Sequence, residues 1–137
     1  MHKQLKQWIT SHIENWKITY DWTTHGSVKH TTTEILGHVA ENEINGVTSA
    51  NIVIVLLPGG HGTHTELGAA IATNKHIIMY SEDPSTFLPG DKTCAFYQHH
   101  LVTTVSGNLE NLLNHLRLLN KKSLSKTLHI ELEAEYL

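Results

Sequence analysis

Cysteine is nearly missing from this chain: Cys94 is the only one in 137 residues, so no disulfide can form within it. Arginine is equally scarce. Arg117 stands alone beside nine scattered lysines, and no basic stripe is present to follow a nucleic-acid backbone. The longest wholly apolar run, Ile52 to Leu57, is far shorter than the roughly 20 residues a membrane span needs. The opening stretch, MHKQLKQWITSHIENW, alternates polar and apolar residues and lacks the apolar centre of a signal peptide. Neither HExxH nor a Cys–His cluster occurs, so no metal and no cofactor are expected. A cytoplasmic protein that meets no membrane and no nucleic acid is the resulting expectation.

What is present is ordinary for a globular chain. Apolar residues make 39% and charged ones 17%, with a formal charge of -3, and the length suits a single domain over residues 1–137. Twelve histidines make net charge sensitive between about pH 5 and 7.

Leu5, Trp8, Ile9, His12, Ile13 and Trp16 recur at helical spacing, which predicts an amphipathic helix over Lys3–Trp16. Its apolar side is expected in the core or at a contact between copies. A β-prone stretch, Lys17–Trp22, follows, then the loop TTHGSVKHT and a helix over Thr31–Val47 with Ile35, Val39 and Ile44 inward. NIVIVLLP reads as a strand covered on both faces, because its β-branched residues do not alternate with polar ones. A small-residue helix over Thr65–Asn74 and a second greasy strand, KHIIMYS, come next. Ser81–Gln98 holds two prolines and a glycine and reads as a long loop. HHLVTTVS is a strand, and Asn108–Asn120 a leucine-rich helix. The tail LHIELEAEYL alternates Leu128, Ile130 and Leu132 and reads as an edge strand or a partner-binding arm. Strand–helix alternation of this kind predicts a flavodoxin-like, Rossmann-like three-layer α/β/α domain with a mainly parallel sheet of four or five strands. Its crevice should open beyond the carboxyl ends of the strands.

The stretch PGGHGTHTELG, Pro58–Gly68, joins a buried strand to a helix. Glycines there bring backbone N–H groups close to an anion or a hydroxyl-rich group at a helix N-terminus. The spacing is neither a Walker loop nor GxGxxG, and contact with a ribose or its phosphate is the natural reading. Thr63 and Glu66 fit a capping box. Glu66 also stands at the crevice mouth, where a carboxylate in a first helical turn is kept ionised by the dipole. An ionised carboxylate can attack an anomeric carbon whose transition state resembles an oxocarbenium ion. His61 and His64 bracket Gly62 and Thr63; they read as exposed loop histidines or as hydrogen-bond partners of a phosphate or base. Cys94 reads as an incidental thiol.

YDWTTHG together with EINGVTSANIVIVLLPGGHGTHTELGAAIATNKHIIMYSED resembles the nucleoside 2-deoxyribosyltransferase superfamily, including its deoxynucleotide N-glycosidase relatives. The resemblance implies that Glu66, in its Glu-Leu-Gly context, is the nucleophile forming a glycosyl-enzyme intermediate. It implies that Glu43, eight positions before Asn51, positions the sugar or protonates the leaving base, and that Asp21 and Trp22 line the base end of the pocket. Gly59, Gly60, His61, Gly62, Thr63 and His64 would contact the substrate, a nucleoside or nucleotide, in a homo-oligomer. Two departures stand out. The chain opens directly in a helix where relatives have a short central strand, and Gly60 stands where relatives often place a polar sugar-binding residue. PGGHGTHTE also resembles the lysine-decarboxylase-like phosphoribohydrolases, although the upstream arginine those enzymes use has no counterpart here. A nucleotide-binding module without catalysis is the third alternative.

Overall fold

The computed structural model describes residues 1–19, 31–122 and 128–134. Its elements are α1 (His2–His12), β1 (Trp16–Ile18), α2 (Thr33–Ser49), β2 (Ile52–Leu56), α3 (His61–Ala72), β3 (His76–Ser81), β4 (Val102–Ser106), α4 (Leu109–Lys122) and β5 (Leu128–Ala134). The five strands form one sheet in the order β1-β5-β2-β3-β4, and all four pairings are parallel. Helices cover both faces, as the flavodoxin-like reading requires.

Two cores result from the alternation of side chains along each strand. Ile52, Ile54 and Leu56 join Leu5, Ile9 and Ile13 of the α1 segment and Leu112 and Leu116 of α4. Val53 and Val55 face the other way, onto Val47, Leu67 and Ala70 from α2 and α3. β2 is therefore buried at every position, the reason its sequence shows no polar alternation.

The tail read as an edge strand or arm is neither. β5 lies between β1 and β2, with Leu128 opposite Trp16 and Ile130 opposite Ile52. It is the second strand of the five. Alternation suggests one wet face, but pairing on both edges decides a strand's position, and periodicity carries no record of pairing. Three further expectations change. The first helix ends at His12, and Trp16 begins β1 instead. Its apolar face is consumed inside the protein, since Leu5, Ile9 and Ile13 are all buried, so it is not a free contact for a second copy. On α2, Val39 is inward as expected, but Ile35 is 49% and Ile44 36% exposed. Gly46 and Val47 take the buried positions. Among the described residues no helix is long and apolar enough to cross a membrane.

Ile130 is fully buried, so Ile130→Ala should destabilise the protein by about 2–5 kcal/mol. Ile35→Ala, on the exposed side of α2, should stay within about 0.5 kcal/mol. Denaturant titration of the two variants checks both values, and a silent Ile130→Ala would restore the arm reading.

Candidate functional site

β2 ends at the carboxyl edge of the sheet, where ligands bind in open parallel sheets. The chain passes through a cis Leu57–Pro58 peptide bond and two glycines into α3. Gly59 is dictated by packing: a Cβ there would lie 2.5–2.9 Å from the Thr63 side chain, which is itself buried. Gly60 is the N-cap of α3, and no side chain caps the helix. The expected capping box is absent because the helix begins at His61 rather than Thr65. Thr63 thus falls inside the first turn, facing the core. A glycine entry leaves the first N–H groups of α3 open to a ligand.

Glu66 is the sixth residue of α3 and only 3% exposed. It is the one buried carboxylate among the residues whose burial is described. Its place in the second turn corrects the dipole argument, since that field fades beyond the first turn. The buried face of α3 centres on Thr63 and Ala70. At about 100° per residue, Glu66 lies about 60° to one side of Thr63 and His64 about 100° to the other. The carboxylate and the imidazole therefore serve opposite flanks of one helix.

His64 turns toward the 3₁₀ turn Ala95–Gln98. Its Nδ1 lies 2.7 Å from the Gly60 carbonyl oxygen and its Nε2 2.7 Å from the Tyr97 hydroxyl. A carbonyl only accepts, so Nδ1 carries the hydrogen and donates, and in the neutral ring Nε2 accepts from Tyr97. Burial, then the neighbouring Cys94, pushes the Tyr97 phenol above its ordinary value, keeping that donor protonated. On α2, Glu43 is half-buried on the inward stripe with Val39 and Val47.

A cavity of about 750 Å³ opens on the His64 flank, bounded by Leu57, Pro58, Gly59, His64, Ser81 and Tyr97. Of the residues expected from the sequence, Gly59 and His64 reach it. Thr63 lies beneath Gly59, Gly60 caps the helix, and His61 and Gly62 are exposed on α3. Glu66 and Glu43 are not among its walls, and Asp21 and Trp22 lie outside the described residues. Sequence reasoning missed Tyr97, Lys92 and Asp83, which the Ser81–Gln98 segment brings to the cavity. A long proline- and glycine-bearing connection at the carboxyl edge of a sheet was the signal available. Lys92 pairs with Asp83 at 2.5 Å on the exposed rim. That bond to Lys92, with further bonds from Ser85, holds the Asp83 carboxyl down at about 2.

The sequence matches no family model and no curated protein. In fold the chain is similar to the CMP N-glycosidase BcmB of Clostridium botulinum. The likeness has a TM-score of 0.51 at 17% identity, over 85% of this chain and 92% of that one.

Gly59→Ala should cost about 1–3 kcal/mol through overpacking, and Thr63→Ala added to it should restore most of the loss; thermal melts of the single and double variants decide this. Asp83 has a depressed pKa, so its rim contacts persist above that value and are lost as pH falls through about 2. A carboxyl-carbon NMR titration should find that midpoint, and Lys92→Met should move it toward 3.8.

Proposed function

We propose that the protein cleaves the N-glycosidic bond of a (deoxy)nucleoside or its monophosphate, with Glu66 as the nucleophile. The observation that carries this is the burial of Glu66. A carboxylate is rarely buried where a leucine or alanine serves packing better, and buried charges concentrate where chemistry is done. Glu66 stands on the helix opened by a glycine loop at the carboxyl edge of the sheet. The fold shared with a CMP N-glycosidase and the Glu-Leu-Gly resemblance support the same reading.

In this mechanism the substrate lies over the amino end of α3, its sugar hydroxyls or phosphate held by the N–H groups after Gly60. A Glu66 oxygen bonds to C1′ as the C1′–N bond breaks. The base leaves with the electron pair and takes a proton, for which Glu43 is the donor implied by the resemblance. Water then attacks C1′ and frees Glu66, or a second base attacks and the sugar is transferred. No cofactor is required. Asp21 and Trp22 keep the role the resemblance gives them, at the base end.

One observation favours a second reading, a nucleotide-binding module without turnover: Glu66 is almost wholly enclosed and is not a wall of the large cavity. Incubation with a panel of nucleosides and monophosphates, with and without added free base, separates the two. Base release should fall about 10³-fold or more in Glu66→Ala, while the variant keeps its fold by circular dichroism. Equal release by both proteins sinks the nucleophile. Exchange of bases without net hydrolysis identifies transfer, and binding without release identifies the module.

A further inference from the structure

Glu66 is not a wall of the cavity on the His64 flank, and the residues that are describe a ligand of their own. The geometry points to a second small-molecule pocket here, one that takes a neutral planar heteroaromatic of nucleobase size. The choice of a nucleobase rests on the N-glycosidic reading; the pocket itself does not.

Volume comes first. About 750 Å³ falls within the range of pre-formed small-molecule sites. Leu57, Pro58 and the ring of Tyr97 supply flat apolar walls, and Phe87 braces that ring edge-on at 6.0 Å between centroids. Hydrogen bonding comes second. The Tyr97 hydroxyl donates to His64, so its lone pairs remain to accept a ligand N–H. Ser81 is 4% exposed, and its Oγ lies 2.9 Å from the Thr86 hydroxyl. One hydroxyl hydrogen of that pair serves the bond between them, which leaves the other to donate. An acceptor and a donor in one cavity are what the edge of a heterocyclic base requires. Charge comes third. The Met1 amino group and Lys92 stand with Glu82 and Asp83 around the cavity, so the charges balance. Balanced walls give a phosphate no net attraction and admit an uncharged base.

Cys94 gives the test, because it lines this cavity and is the only thiol in the chain. N-ethylmaleimide labelling followed by intact mass reports its accessibility without any turnover. Millimolar cytosine, uracil, adenine and hypoxanthine are each added to the full chain. At least one base should slow labelling about fivefold, the value for a ligand at four times its dissociation constant, in wild type and Glu66→Ala alike. Thr86→Phe, which fills the cavity, should abolish the protection. Tyr97→Phe, which keeps the ring and removes only the hydroxyl, should weaken it about fivefold to tenfold. No protection by any of the four bases overturns the proposal. So does protection lost in Glu66→Ala yet kept in Thr86→Phe and Tyr97→Phe. Protection that persists in a protein releasing no base leaves the pocket standing and removes only the glycosidic reading.

Discussion

Everything at the upper edge of this protein depends on the two parallel ladders made by β5. Among the described residues β1 has no other strand partner, and β2 obtains its second neighbour from the same strand. Strands in a sheet lie about 4.8 Å apart, so the intervening strand sets β1 and β2 roughly 10 Å from each other. The carboxyl end of β1 and the glycine loop after β2 thus stand a strand's width apart. Ile130 fixes that spacing from within, buried against the side chains of α1 and α4.

On this frame α3 acts as a divider. No side chain caps its amino end, its buried face is packed by Thr63, Leu67 and Ala70, and its two sides carry different chemistry. One side holds a buried carboxylate. The other holds an imidazole fixed at both nitrogens, one by the N-cap carbonyl and one by a phenol. Such a double constraint sets the tautomer and orientation of His64 without any charged partner. Gly59 allows the divider to sit this close to the sheet, because any larger residue would strike Thr63.

Much of the scaffold was legible because its strongest signals are local. The β2 and β3 runs, the leucine spacing of α4 and the strand–helix order all report burial that repeats with a fixed period. What was not legible is what pairing and helix entry decide. The alternation in LHIELEAEYL is true of β5, yet says nothing about which strands flank it. Trp16 fits the spacing of the first helix and still belongs to β1, since a side chain suited to the core is suited to either element. Ile35 and Ile44 look inward on α2 by their apolar character, but Val39, Gly46 and Val47 take the buried positions. At the site, Glu66 and the glycine run were visible as a motif. Tyr97 and Lys92 were not, because they arrive from more than 25 residues downstream through a connection with no periodicity to read.

The place of β5 also bears on how the molecule is made. Its partner residues in β1 and β2 precede it by about 112 and 78 positions, so most of the polypeptide must be available before the middle of the sheet can close. Contacts of such long sequence separation slow folding. A nascent chain on the ribosome therefore carries two unpaired strand edges until translation has passed Ala134, and during that interval it is open to mispairing with a neighbour.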